Sequence, residues 1–407
     1  MRRTFSILQV LSALILLASC QKTIKPSSVD LTKGAKAGFQ PNPSWQLNTP
    51  TGRLVPYDIN DGTGLSCLLS YDVGNNQVEL TQIIGTTSTN LWTRSGIALD
   101  DGTVINVNQY APADNYNEVG GYHIISYDAT NTGHQTYLLL WVPGQGIAML
   151  IHYVGGGQFH RDWSSTSGIA GYDLKGTTDK IIAYDYGSGY KNSLIVYRPG
   201  NGFCWVIENT SPSGTPNWIA AVKGSGGIGG FDLKGATDQI VAVDYNPGYQ
   251  NLICYRPGYG YVWYLNHTPN STNFTTAYST HSGLFNFSFM DQQDRLIASN
   301  ISGSTVINAN NTILCYRPGG GMGQTVLDAI DGSTPNGGAP PSGLSSYPMS
   351  TNPYGSPASY IGDKILAFNG NGYGSSSLVC YTNGGTAYST YIYEYDPNTQ
   401  TYTLAFH

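Results

Sequence analysis

Along most of the chain, apolar runs of four to six residues alternate with clusters of Gly, Pro, Asn and Ser, and no run keeps a helical period. Between residues 180 and 224 the runs are 181–186, 194–197, 203–207 and 218–222, parted by Gly187-Ser188-Gly189, Pro199-Gly200 and Ser213-Gly214. Short apolar runs between turn formers predict four short antiparallel strands. The group of four then recurs. Tyr197-Arg198-Pro199-Gly200 returns as Tyr255-Arg256-Pro257-Gly258 and Tyr316-Arg317-Pro318-Gly319, with weaker copies starting at Tyr71, Trp141 and Tyr381, spaced 56 to 70 residues apart. A second element precedes each copy, as in Lys180-Ile181-Ile182-Ala183-Tyr184-Asp185, with counterparts starting at Arg53, His123, Gln239, Arg295 and Lys364. A four-stranded unit repeated six times is the pattern of a β-propeller. Residues 44–407 are therefore expected to form one all-β domain, a six-bladed propeller of four-stranded antiparallel blades, with seven blades as the rival count.

Equivalent positions then acquire expected tasks. Ala183, Ala242, Ala298 and Ala367, with Ser126 and Pro56, fall midway along the first strands, where blades converge on the axis and need small side chains. Val196, Cys254, Cys315 and Cys380, with Leu140 and Ser70, share one second-strand position and read as blade-to-blade core. Equivalent positions on neighbouring blades lie ~10 Å apart, beyond the ~7 Å Cα separation a disulfide tolerates. No disulfide is expected among the three cysteines, and Cys67 and Cys204 have no evident partner.

Composition agrees with this class. Charged residues are only 11% of the chain, against 51 Gly, 21 Pro and 31 Tyr, whereas a disordered chain would be rich in charge and poor in aromatics. At the N-terminus, Met1-Arg2-Arg3 precedes an apolar run ending Leu17-Ala18-Ser19-Cys20, which resembles a bacterial lipoprotein signal. The resemblance implies removal of residues 1–19, acylation of Cys20, and a flexible tether over 20–43; an ordinary secretory signal is the alternative. It places the domain outside the cytoplasm in the cell envelope, held to the outer or cytoplasmic membrane by lipid alone. Loss of Arg2 and Arg3 leaves 17 basic against 25 acidic side chains, which argues against a nucleic-acid partner.

Candidate chemistry is sparse. The seven histidines share no metal-ligand spacing, no nucleophile constellation stands out, and neither a metal nor a cofactor is expected. Gly224-Ser225-Gly226-Gly227-Ile228-Gly229 matches a dinucleotide fingerprint by letter but joins strand to strand, without the helix that motif needs. Asp58, Asp128, Asp185, Asp244, Asn300 and Asn369 end the first strands, either as a cation site at a channel mouth or as side chains closing Asx turns. Arg198, Arg256 and Arg317 occur only in the repeats that also carry Asp179, Asp238 and Asp294. Bridges holding one face are expected from that co-occurrence, with direct grip on a polar ligand as the other reading. Trp205 and Trp263 lie eight residues after Tyr197 and Tyr255, and Tyr259, Tyr261, Trp163 and Trp218 are expected in or beside the same turns. Such rings either pack blades together or offer flat apolar faces to sugars.

Gly168-Ile169-Ala170-Gly171-Tyr172-Asp173-Leu174-Lys175 and Gly227-Ile228-Gly229-Gly230-Phe231-Asp232-Leu233-Lys234 each lead into Asp-x-Ile-x-Ala-x-Asp-Tyr, then the Tyr-Arg-Pro-Gly turn and a tryptophan. Together these strings resemble the repeats of the PLL-like bacterial lectins, fucose-binding β-propellers. The resemblance implies a multivalent glycan binder with sites near blade junctions. Its candidate ligand-binding residues here are Trp205, Trp263, Tyr259, Tyr261, Trp163, Trp218, Arg198, Arg256, Arg317, Asp173 and Asp232. This chain departs from the family in blade number, in repeat length, and in carrying Asn192 and Asn251 where the motif has an acid. The expected function is a membrane-anchored, lectin-like propeller with repeated shallow glycan sites and no enzymatic activity. A protein-interaction scaffold in an envelope complex is the alternative, and a glycan-active enzyme ranks third.

Overall fold

The turn-punctuated runs do become strands. A computed structural model of the chain describes residues 52–60, 67–84, 87–110, 121–187, 190–211, 215–246, 249–284, 287–299, 312–318, 328–329, 345–346, 364–368, 377–381, 390–396 and 401–406, and contains no helix among them. Cys20, the signal segment and the tether lie outside the described residues, as do Asn300 and Asn369. Six antiparallel sheets of four strands follow one another, and strands adjacent in sequence are adjacent in each sheet. Sheets 1 to 6 span 52–95, 123–165, 180–224, 239–280, 295–346 and 364–406. In sheet 3 the strands are Lys180–Tyr184, Ser193–Arg198, Phe203–Asn209 and Trp218–Gly224, within two residues of the expected runs.

The expectation of six full blades needs correction. Five sheets are complete blades, whereas the outer strands of sheet 5 shrink to Asp328–Ala329 and Ser345–Ser346. The sequence between 319 and 346 is dense in Gly, Pro and Ser, and Gly and Pro are depleted in strands generally. First strands of successive sheets lie against one another, and that of sheet 6 lies against that of sheet 1, a propeller arrangement within residues 41–407.

Apolar side chains gather between sheets rather than around one centre. Tyr57, Leu69, Leu138 and Phe159 belong to the cluster joining sheets 1 and 2; Leu139, Ile181 and Val196 join sheets 2 and 3. Tyr197, Ile240 and Cys254 join sheets 3 and 4, and Val262, Leu296 and Cys315 join 4 and 5. The first-strand positions Pro56, Ser126, Ala183, Ala242, Ala298 and Ala367 are all half-buried. Cys67, Cys204, Cys254, Cys315 and Cys380 are buried thiols, and burial pushes those of Cys204 and Cys254 well up.

Tyrosines fasten neighbouring sheets at both ends of the strands. Tyr57, Tyr127 and Tyr184 end their first strands and donate their hydroxyls to the carbonyl oxygens of Thr136, Asn192 and Gln250 in the next sheet. Their rings lie 6.2–6.3 Å from Phe159, Trp218 and Phe274 on that sheet's outer strand. At the opposite end, the hydroxyls of Tyr197, Tyr255 and Tyr316 accept the backbone N–H groups of Ile240, Leu296 and Ile365.

The Pro-Gly turns clasp the connectors in the same way. Gly144 and Gly146 donate to the Leu174 carbonyl, Gly200 and Gly202 to Leu233, and Gly258 and Gly260 to Phe289, at 2.9–3.1 Å. The three clasped residues hold φ of +50° to +51°, a left-handed conformation that residues with a side chain seldom adopt. Each connector opens on a glycine that nothing can replace. At Gly227 (φ +93°) a Cβ would stand 1.8 Å from the Phe231 carbonyl oxygen. The fingerprint-like glycine string thus ends in a connector turn, and no helix follows.

Candidate functional site

The expected Arg–Asp bridges form at all three turns. Arg198 Nε and Nη2 bond the two carboxylate oxygens of Asp179 at 2.7 and 2.8 Å, and Nη2 also reaches Asp173 at 2.6 Å. Arg256 repeats this with Asp238 at 2.6 and 2.9 Å and with Asp232 at 2.5 Å. Arg317 bonds Asp294 at 2.5 and 2.7 Å, with Ser288 at 3.3 Å in the place of the outer aspartate. The inner carboxylates are wholly buried, so the paired fork geometry offsets their desolvation. Tyr172 and the Gly176 N–H also donate to Asp179. Gly176 and Gly235 must be bare, since a Cβ there would stand 2.1 and 2.2 Å from the Nε of Arg198 and Arg256.

The outer aspartates differ from the inner ones. Asp173 and Asp232 are about half-exposed. The Lys175 backbone N–H holds the Asp173 carboxyl below its usual range, with a further contribution from Arg198. For Asp232, burial pulls upward but is outweighed by the Lys234 N–H and Arg256, so it too stays low. Asp238 moves the other way, because burial outweighs Arg256 and lifts its carboxyl above the ordinary value.

Beside these pairs stand the aromatic residues. The strand Phe203–Asn209 turns Phe203 and Trp205 to one face while Cys204 is buried on the other, and the strand Tyr261–His267 does the same with Tyr261, Trp263 and Val262. Arg198 lies over the rings of Tyr172 and Phe203 at 5.5 and 5.6 Å, and Tyr172 meets Trp205 edge-on at 5.4 Å. The Lys223 ammonium sits 4.9 Å from the Trp205 ring centre. In sheet 4, Arg256 lies over Phe231 and Tyr261 at 5.5 Å; Tyr261 is 4.3 Å from His281 and 6.2 Å from both Tyr259 and Trp263. Trp205 and Trp263 are half-buried, and Tyr259 is 55% exposed. Two equivalent surfaces therefore each combine a half-open tryptophan, a second ring, and an outer aspartate tied to arginine.

Trp163 and Trp218 do not join them, contrary to their expected place beside the turns. The antiparallel register sets Trp218 opposite Asn209, at the strand end remote from the Arg198–Phe203 turn, and Trp163 opposite Leu150. The two rings meet edge-on at 4.5 Å, and Trp218 Nε1 donates to the Tyr127 hydroxyl. Both pack against the cluster between sheets 2 and 3, as Trp205 does too.

At that remote end the first-strand aspartates close turns. Asp58 accepts the Asn60 N–H, Asp128 those of Thr132 and Gly133, and Asp185 that of Gly187. The Asx reading therefore holds for these three, and among the described residues no group of three or more His, Cys, Asp or Glu could hold a metal. His134, His152 and His160, which show no metal-ligand spacing in the sequence, pair through Nδ1 with Asp58, Asp162 and Asp100 at 2.7–2.8 Å. None of these pairs recurs between repeats, so periodicity gave no signal for them.

No family model matches the chain, and neither does any curated protein. Among solved structures, a Lactobacillus plantarum protein is similar at 14% identity and TM-score 0.43, over 86% of this chain and 82% of its own. Saccharomyces cerevisiae Sqt1 is similar at 10% identity and TM-score 0.36, over 86% of this chain and 83% of its own. A Bacteroides uniformis candidate 6-phosphogluconolactonase is similar at 11% identity and TM-score 0.37, over 87% of this chain and 81% of its own.

Proposed function

We propose that the protein is a lectin-like propeller that binds glycans through shallow sites at the turns of sheets 3 and 4, displayed at the cell envelope from an acylated Cys20. The observation carrying this reading is the pair of equivalent half-buried tryptophans, Trp205 and Trp263, each beside a turn arginine and a half-exposed aspartate. A tryptophan face takes the C–H side of a sugar, while Asp173 or Asp232 accepts its hydroxyls. Two such sites on one rigid ring turn individually weak contacts into avidity. Tyr259, and Met290 at 60% exposure near Gly260, favour a second reading, a platform for a protein partner.

A glycan array probed with the protein, followed by Trp205→Ala and Trp263→Ala variants, tests the proposal. Binding should fall in each variant and vanish in the double variant, with the thermal midpoint little changed. Absence of any glycan ligand, together with a specific protein captured through the Tyr259–Met290 surface, would replace the first reading by the second.

A further inference from the structure

A cavity of about 410 Å³ opens at the junction of sheets 1 and 2, at the end of the strands away from the Arg–Asp turns. Its walls include Asn60, Thr132, His134, Tyr137, His152 and Tyr153. His134 Nδ1 stands 2.8 Å from a carboxylate oxygen of Asp58, and His152 Nδ1 stands 2.7 Å from one of Asp162. When such a ring carries a single proton and Nδ1 donates it to the aspartate, Nε2 is left as an acceptor. Among the described residues, neither Lys nor Arg lines the cavity. The charged groups behind the walls are Asp58 beside His134, Asp162 beside His152, and Asp128 in the loop carrying Thr130 and Thr132. Farther along, His160 pairs with Asp100 and Arg161 with Asp101. The cavity thus combines two imidazoles backed by carboxylates, threonine hydroxyls and three tyrosine rings, those of Tyr57, Tyr137 and Tyr153. Those rings add π faces that attract a cation.

We infer that this cavity binds a small, hydroxyl-bearing organic cation of the class of a 2-amino-2-deoxy monosaccharide. The volume lies in the range of small-molecule sites. The ammonium is drawn by Asp58 and Asp162 through the imidazole acceptors, and the hydroxyls find partners in Asn60 and Thr132. The inference does not depend on the aromatic surfaces, which lie at the other end of the strands.

Calorimetric titration of the purified full chain with glucosamine, glucose, N-acetylglucosamine and glucuronate tests it. Glucosamine should bind about tenfold more tightly than glucose or N-acetylglucosamine, a difference of about 1.4 kcal/mol, and glucuronate should not bind. His134→Ala and His152→Ala should each weaken glucosamine at least several-fold. Thr132→Trp, which fills the mouth from an exposed position without removing an imidazole, should abolish binding even if the histidine variants fold poorly. Trp263→Ala should leave it intact. Equal affinity for glucose or glucuronate, no binding of glucosamine at millimolar concentration, or full binding by Thr132→Trp would overturn the inference.

Discussion

Replacing Arg256 with methionine separates an arginine that holds the fold from one that grips a ligand. The Arg256 side chain is 13% exposed and Asp238 is fully buried. The change removes both bonds to the Asp238 carboxylate and the bond to Asp232. Asp238 then keeps its bond from the Gly235 N–H at 2.9 Å. Stripping a buried carboxylate of its ion-pair partner costs about 3–5 kcal/mol. The half-exposed Asp232 adds about 1 kcal/mol at most. The sign of the pH dependence follows from Asp238, whose carboxyl burial already holds above its ordinary value while Arg256 pulls it down. Without Arg256 the folded-state value rises further, and the folded chain keeps a proton over a wider window than the unfolded chain. Stability of the variant therefore declines as pH rises through that window, so its deficit is smaller at pH 5 than at pH 8. Urea unfolding followed by tryptophan fluorescence should show that difference, and Asp238→Asn added to Arg256→Met should recover part of the loss. A variant within about 0.5 kcal/mol of the parent that has nonetheless lost glycan binding would refute the structural reading.

Tyr255→Phe should cost about 1–3 kcal/mol, because the buried Leu296 N–H loses its acceptor, whereas Tyr259→Phe on the exposed ring should be neutral; equal effects in urea unfolding would show that the fastening is inert. His267 is stacked between Tyr186 and Phe274, burial lowers its pKa, and its Nε2 is 3.0 Å from the Ser271 carbonyl oxygen, so the folded state favours the neutral ring. Its contribution is complete above the unfolded-state value near 6.5 and is lost as pH falls toward the depressed folded value, so His267→Phe should flatten the fall in stability between pH 7.5 and 5. An unchanged slope would remove His267 from the account.

The strands, their order and the Arg–Asp pairing were legible because each recurs, and recurrence converts weak local signals into a phase. Sheet 5 was misjudged for the same reason: Tyr316-Arg317-Pro318-Gly319 repeats faithfully, while the residues after it lack the alternation that outer strands need. Trp218 was misplaced because distance along the chain from a turn does not say which end of a hairpin a residue reaches. The Asn209↔Trp218 register puts it at the far end, equivalent to Phe159 and Phe274. The Asp58–His134 pair was invisible, since the two are 76 residues apart and meet only where two sheets join. His152 and Asp162, ten residues apart on adjacent strands, went unnoticed because the pair does not recur.

The strings that suggest a lectin have to be weighed against the work they do in the fold. Tyr197 and Tyr255 bolt one sheet to the next, Arg198 and Arg256 neutralise buried aspartates, and the turn glycines clasp the connector carbonyls. Thr178 and Thr237 donate to the carbonyls of Pro199 and Pro257, and Gly168 and Gly227 make turns that admit no side chain. Nearly every residue of the shared motif is thus committed to joining blades or to holding the turn and connector of its own blade, and any propeller built this way would need it whatever it bound. The tyrosine surplus has the same explanation in part, since Tyr57, Tyr127, Tyr184, Tyr197, Tyr255 and Tyr316 are buried at junctions. Specificity must then reside in positions the junction leaves free to vary. Phe203 and Tyr261 are equivalent, as are Lys223 and Ser279, and so are Asn201 and Tyr259, yet each pair differs. Exchanging those residues between sheets 3 and 4 should therefore move glycan preference with them while both sets of ion pairs stay intact.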